Sequence, residues 1–332
     1  MPRRPLSLPI ALLRRRLLRW YDGAKRDLPW RGNCDPYRVW VSEIMLQQTR
    51  VAVVIPYYER FIRRFPTVRD LAQAEEAEVL ALWSGLGYYR RARMLHQAAK
   101  QVVAEHEGRL PGSSEGLRSL AGIGRYTAAA IASICFAECS AVVDGNVERV
   151  LERLHGRRLS AAEHWEQAER LISPSRPGDF NQAMMELGAT VCTPQSPACS
   201  ACPLRALCRQ QGAIAAAPKP ARRKHRLMYL LDTRSDRVRL VQRNKAERLM
   251  PNMWELPAGD HVGEVAFRLR HSITTTDYAV EVRHGRTRAG KYVALPQLAH
   301  LPLTGLARKI LRKAELLKEG RQEHEASQRP RT

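Results

Sequence analysis

The 332-residue sequence has no run of apolar residues long enough to span a bilayer, which excludes a membrane-crossing helix. It has no internal repeat, so a solenoid or propeller is not expected. It is also short of acids: Asp and Glu number 33 against 55 Lys and Arg, a formal charge of +22. That imbalance favours a polyanionic partner, with nucleic acid first and an anionic membrane surface second. The basic residues are spread along the chain, which argues against the membrane.

A chain of this length is long for one domain, and two or three are expected. It can bury a sizeable core without covalent staples. The N-terminal stretch MPRRPLSLPIALLRRRLLRW is interrupted by Arg14, Arg15 and Arg16, so a secretory signal is not expected. Leu13, Leu17, Trp20 and Tyr21 fall on one helical face, so an amphipathic first helix is the stronger reading than a transit peptide.

Of the seven cysteines, Cys34, Cys135 and Cys139 are scattered. Cys192, Cys199, Cys202 and Cys208 instead fall within seventeen positions, as C-x6-C-x2-C-x5-C. Four thiols so close together indicate a metal or cluster site and not disulfides, and a reducing cytosol. Tetrahedral zinc and a [4Fe–4S] cluster both suit four thiolates, and spacing alone does not separate them.

Residues 9 to about 208 read as mainly helical. Apolar residues recur at helical spacing in 10–21, 36–48, 51–65, 75–83, 91–104, 126–136, 146–154 and 163–172. Pro, Gly and Ser clusters at 109–112 and 173–178 punctuate them. Residues 209–225 carry Ala, Pro and basic residues with no core pattern and read as a linker. Beyond it RLMYLLDT, VRLVQR, YAVEVRHG and KYVAL alternate like strands, and 303–316 reads as a closing helix. The polar stretch 317–332 has the composition of a disordered tail.

The most informative segment is 120–150. The turn Leu120-Ala121-Gly122-Ile123-Gly124 opens into a helix of small residues, and the two glycines permit a tight turn. Free N–H groups at such a helix start suit phosphate, so Gly122, Gly124 and Arg125 are candidates for a nucleic-acid backbone. Asp144 stands before Gly145-Asn146-Val147 at the mouth of the next helix. It is either a plain N-cap or an anion used in chemistry, and capping keeps it charged.

Asp35-Pro36 is a helix start by cap and proline. The apolar residues Val39, Trp40, Val41, Ile44, Met45 and Leu46 then cover nearly the whole circumference of the helix, which should therefore be buried. Glu43 sits in its middle, where a carboxylate must be paired or protonated. Either it forms an ion pair with an arginine, or its raised pKa makes it a general acid.

The quartet downstream of the Gly-Ile-Gly turn and Asp144 resembles the endonuclease III superfamily, across about residues 9–208. The resemblance implies a mainly α, two-lobed helix–hairpin–helix glycosylase core, with a structural [4Fe–4S] cluster on Cys192, Cys199, Cys202 and Cys208. The stretches PWRGNCDPYRVWVSEIMLQQTRVAVVIPYYERFIRRFPTV, LWSGLGYYRRARMLH, VVDGNVERV and DFNQAMMELGATVCTPQSPAC are similar to MutY-type adenine DNA glycosylases. That family implies excision of adenine opposite 8-oxoguanine or guanine from double-stranded DNA, by a monomer in the cytoplasm on nucleoid DNA, with no membrane partner. Glu43 would protonate adenine N7, Asp144 would steady the sugar cation, and Asn146 would orient sugar or water. Lyase-competent relatives carry a lysine where this chain has Tyr126, so hydrolysis without strand scission is implied. Arg31 and Glu186 match positions that contact the everted adenine, and Gln48, Leu86 and Tyr88 match the segments that fill the gap and touch the opposite base.

In the C-terminal part, NMWELPAGD is similar to a stretch of the Nudix-like domain of that family, here expected as an α+β region over 226–316. No glutamate cluster follows it, so a recognition module without hydrolase activity is implied. The family's lesion-probing Phe-Ser-His aligns with Ile273-Thr274-Thr275, which keeps a hydroxyl and loses the histidine. Thr274 and Thr275 are the implied lesion contacts. The alternatives are a pyrimidine-directed glycosylase with lyase activity, which Tyr126 disfavours, and a non-catalytic iron–sulfur DNA-binding protein, which a buried Glu43 disfavours.

Overall fold

The computed structural model describes residues 9–32, 34–212, 221–247, 249–259, 263–273 and 275–317. Its helices are α1 (Ile10–Ala24), α2 (Pro36–Leu46), α3 (Val51–Arg64), α4 (Val68–Gln73), α5 (Glu76–Trp83), α6 (Arg90–Glu105), α7 (Ser114–Arg118), α8 (Arg125–Phe136), α9 (Gly145–His155), α10 (Ala161–Leu171), α11 (Pro177–Thr190) and α12 (Gly305–Lys313). Its strands are β1 (Arg223–Leu231), β2 (Thr233–Arg234), β3 (Arg237–Gln242), β4 (Trp254–Glu255), β5 (Val265–Ile273), β6 (Thr276–His284) and β7 (Lys291–Ala294). Among the described residues no helix is long and apolar enough to cross a membrane. The chain divides into two compact units, Met1–Gln73 with Met94–Pro218, and Ala74–Arg93 with Lys219–Thr332.

The first unit is helical. In α1, Leu13, Leu17 and Tyr21 are buried, as their spacing requires. The helix packs on α11. Nearly every side chain of α2 from Tyr37 to Met45 is buried, Glu43 among them. Small residues make α8 thin: Thr127 to Ser133 are all buried, and α2, α7 and α11 close around them. Helix α11 lies outside the expected set, although Phe180, Ala183, Met184 and Leu187 are buried at helical spacing. It also packs on α9. A Cβ on Gly188 would stand 2.5 Å from Asn146 Cβ, so glycine sets the approach of these two helices.

The second unit is α+β. One sheet has the order β1-β6-β5, with β1 and β6 parallel and β5 and β6 antiparallel. The other runs β2-β3-β4, with β7 paired to β3. Tyr229, Val238, Leu240, Leu256, Val280, Val282, Ile310 and Leu311 form the core. The expected 303–316 helix is α12, capped by Thr304 Oγ1, which accepts from Ala307 N at 3.1 Å. Strand β5 was not expected, because the arginines of VAFRLRHSI mask its alternation. Strand β1 begins inside the expected linker, whose residues 213–220 lie outside the described residues, as does the tail from 318. Residues 74–93 read as part of the helical region, yet they belong to this unit. Ser84 Oγ and Tyr89 Oη both donate to the Leu303 carbonyl, at 2.8 and 3.1 Å.

Candidate active site

The site belongs to the first unit and is built on α2, α8, α9, α11 and the segment before α2. Asp35 caps α2 by accepting from Tyr37 N at 2.9 Å, which starts the helix that carries Glu43 inward. Glu43 is 6% exposed, and its Oε2 has no hydrogen-bond partner among the described residues. Burial pushes its pKa from 4.5 up to about 7. A hydrogen bond with the Tyr126 hydroxyl and the charge of Arg31 pull it down, while Asp144 pushes it further up. The carboxyl is therefore protonated for much of the neutral range, and no arginine forms an ion pair with it among the described residues. The Tyr126 hydroxyl oxygen also lies 3.1 Å from Met185 Sδ, a contact that sets the ring between α2 and α11.

Asp144 is the N-cap of α9. Its Oδ1 accepts from Asn146 N at 3.0 Å and Val147 N at 2.8 Å, and its Oδ2 from Asn146 Nδ2 at 2.8 Å. Capping and proximity to Glu43 thus occur in one residue, so the two readings of Asp144 are compatible. Asn146 is held in turn: its Oδ1 accepts from Arg149 Nη2 at 2.8 Å. Arg149 spans to Gly188 O at 2.7 Å and, through Nε, to Cys192 O at 2.7 Å.

Glu186 is 1% exposed and fully partnered. Arg26 reaches it through Nε at 2.6 Å and Nη2 at 2.8 Å, and Arg31 through Nη2 at 2.9 Å. These guanidiniums hold its pKa down at about 2, against the opposing effect of burial. Arg31 also lies 5.6 Å over the Tyr21 ring. Arg26 escaped the sequence reading, since nothing local ties it to a residue 160 positions away.

The hairpin is α7, the turn and α8. Gly122 has φ +76°, and a Cβ there would stand 2.5 Å from Met94 Cβ. Gly124 differs from expectation: its φ is −87° and its backbone extended, and a Cβ there would meet nothing within 4 Å. The turn therefore needs only the first glycine for its shape. Gly124 is the N-cap of α8 with no side-chain cap, which leaves open space before the helix start. Arg125 is occupied on α10, 3.8 Å over the Trp165 ring and 2.6 Å from Glu169 Oε1.

Gln48 follows α2, exposed, at φ +56°. In the second unit, Tyr88 is 47% exposed at φ +49°, while Leu86 is buried. A left-handed backbone at two non-glycine positions is strained, and such strain gathers where a side chain must be presented. Thr275 sits in the β5–β6 turn, its carbonyl accepting from Arg223 N at 3.0 Å. Thr274 lies outside the described residues.

Cys192, Cys199, Cys202 and Cys208 line one pocket together with Arg153. Arg153, missed in the sequence, is 2% exposed beside them. Its Nη1 donates to Cys192 Sγ at 3.1 Å and to Thr193 O at 2.9 Å, and its Nη2 to Pro194 O at 3.1 Å. Its Nε is buried without a partner among the described residues. A buried guanidinium requires negative charge nearby, which neutral thiols do not supply and cluster-bound thiolates do.

Comparison with known proteins agrees with this geometry. The model of the HhH-GPD superfamily base excision DNA repair protein matches residues 41–174, and that of the iron-sulfur binding domain of endonuclease III matches 192–208. An adenine DNA glycosylase of Rattus norvegicus is 52% identical over 229 residues, 63% of this chain and 44% of that protein. One of Homo sapiens is 52% identical over 215 residues, 60% of this chain and 39% of that protein. The chain thus spans less than half the length of these relatives. A solved thermostable thymine-DNA glycosylase is 30% identical with a TM-score of 0.57, covering 60% of this chain and 95% of that one. A trapped endonuclease III–DNA covalent intermediate is 26% identical with a TM-score of 0.53, covering 60% and 94%. The loop at 192–208 is a site for a [4Fe–4S] cluster. The chain belongs to the HhH-GPD superfamily of base excision DNA repair proteins.

Proposed function

We propose that this chain is a monofunctional DNA glycosylase that hydrolyses the N-glycosidic bond of adenine opposite 8-oxoguanine or guanine in duplex DNA. The observation that carries the reading is the buried Glu43 carboxyl, its pKa pushed up to about 7, beside the capped Asp144. One carboxyl held neutral and one held charged is the division of labour that glycosidic cleavage needs.

The adenine leaves the stack at a cost of a few kcal/mol. Glu43 gives its proton to N7, and the bond from the sugar to N9 breaks with its electron pair going to the base. The Asp144 carboxylate, its oxygens fixed by Asn146 and Val147, steadies the cation left on the sugar. Water adds to C1′ and loses a proton to the carboxylate now free at position 43, which leaves free adenine and an abasic site. Tyr126 offers no amine, so no Schiff base forms. Arg31 and Glu186, locked together, contact the everted base.

Gln48 wedges into the vacated stack from its strained turn, and Tyr88, on its own strained turn beside the buried Leu86, touches the opposite base. The hairpin at Gly122 and Gly124 receives a phosphate in the open space before α8, which Arg125 can reach only by leaving Glu169. Cys192, Cys199, Cys202 and Cys208 would hold the cluster, which when bound cross-links and orders their loop against Arg153. The second unit acts as a Nudix-like recognition module, in which Thr274 and Thr275 contact 8-oxoguanine.

The test is a duplex with a labelled adenine strand, assayed with several opposite bases, with and without alkali. Alkali-dependent cleavage opposite 8-oxoguanine is expected. No abasic product opposite that base sinks the reading. Cleavage without alkali, with a borohydride-trapped adduct, points to the lyase.

A further inference from the structure

The β1-β6-β5 sheet has one covered face and one that is open toward the β5–β6 hairpin, Leu230 being buried at its other end. Along β5 and β6 the alternation places Leu269, Val280 and Val282 toward the core. The open face carries Lys224 and Arg226 of β1, Asp277, Ala279 and Glu281 of β6, and Arg268, Arg270 and Ser272 of β5. The register sets Arg226, Ala279 and Arg270 in one row across the three strands. All three residues are exposed. With strands about 4.8 Å apart, the two arginines stand about 10 Å apart at their backbones, over a floor no larger than a methyl group.

The acids on this face are already used. Asp277 accepts from Arg222 Nε at 2.8 Å and Ser272 Oγ at 2.6 Å. Glu281 accepts from Arg268 Nε at 2.8 Å and Arg283 Nε at 2.7 Å. Arg226 and Arg270 have no acidic partner among the described residues, and Lys224 stands one row nearer the turn. Along the edge of β5, Lys309 Nζ donates to Arg270 O at 2.6 Å and Lys313 Nζ to Arg268 O at 2.9 Å, which adds two cations.

We infer that the Arg226–Ala279–Arg270 row is a phosphodiester-binding trough, which fixes a DNA backbone against the open face of this sheet. The small central residue lets a phosphate sink between two guanidiniums, each a planar fork matched to phosphate oxygens. The row lies three residues from the hairpin tip, about 10 Å along the strand. A backbone held there brings neighbouring bases within reach of that tip. The inference rests on the reading of the chain as a DNA glycosylase, and it adds a positioning site remote from the bond being cut.

The experiment measures duplex affinity by fluorescence anisotropy across a salt series, using the whole protein with its cluster. Each lost phosphate contact should reduce the slope of log K against log salt by about 0.9. Arg226→Ala/Arg270→Ala is expected to flatten it by nearly two such steps, and Arg226→Gln/Arg270→Gln to do the same. Arg268→Ala removes a cation that Glu281 already neutralises and should leave the slope unchanged. An unaltered slope in the double variants, or an equal change in Arg268→Ala, overturns the trough. Adenine release by the wild type is read on the same duplex. Its failure would count against the glycosylase reading, while the slopes still decide the arginine row.

Discussion

Arg26 grips Glu186 with two parallel bonds, Nε to Oε1 at 2.6 Å and Nη2 to Oε2 at 2.8 Å, across 160 positions of sequence. The pair ties the segment before α2 to α11, and Arg31 joins it on Oε2. Removing Arg26 leaves a buried acid with one arginine in place of two. Arg26→Ala should cost about 2–4 kcal/mol, and adding Glu186→Gln should recover part of it. The measurement is a double-mutant cycle by urea denaturation. Additive losses would mean that the two side chains are not coupled.

The same acid makes stability depend on low pH. Its folded pKa, about 2, lies below its ordinary 4.5. Stability from this group is full above about 4.5 and is lost as pH falls toward 2. Glu186→Gln should flatten that part of the denaturation-midpoint curve. An identical acid limb in both proteins would contradict the assignment.

Glu43 has the opposite sign. Its folded pKa, about 7, lies above 4.5, so the folded state binds the extra proton and stability falls as pH rises from 4.5 to 7. The full difference is about 3 kcal/mol. Glu43→Gln should match the wild type near pH 4 and exceed it near pH 8, while releasing no adenine and still binding duplex. Equal stability at pH 8, or residual excision near the wild-type rate, would contradict its role.

Single-turnover excision should decline above pH 7, about tenfold per pH unit, as the acid form of Glu43 is titrated away. Asp144→Asn should abolish excision at every pH. It would also place an amide N–H₂ against Asn146 Nδ2 or against the helix N–H groups. Excision by that variant would remove the need for an anion.

Arg153→Met should lower the iron retained per protein and make residues 192–212 sensitive to protease. Its guanidinium meets Cys192 Sγ and two carbonyls of the loop at once. Undiminished iron content and protease resistance would show that the buried charge is not needed there.

Much of the site was legible because local rules produce it. An all-apolar helix buries Glu43, a cap-and-glycine pattern places Asp144 at a helix mouth, and cysteine spacing marks the loop. What stayed hidden depends on long-range partners. Arg26 and Arg153 read as two of many surface arginines until α11 and the cysteine loop close on them. The left-handed backbone at Gln48 has no neighbouring glycine to announce it, and at Tyr88 it extends the turn of Gly85 and Gly87 by one non-glycine residue. The allegiance of 74–93 to the second unit comes from partners more than 150 positions away, among them Leu303 O, Pro251 O and Arg308 Nε.

Replacing glycine by alanine stiffens an unfolded chain and commonly adds about 0.4–1 kcal/mol where there is room. Gly23 on α1 has that room, with nothing within 4 Å of an added methyl. Gly188 has none, because the methyl would press on Asn146 at 2.5 Å. A programme of thermal improvement that treats helical glycines alike would therefore wedge α9 from α11 and swing the Asp144 carboxylate off its mark.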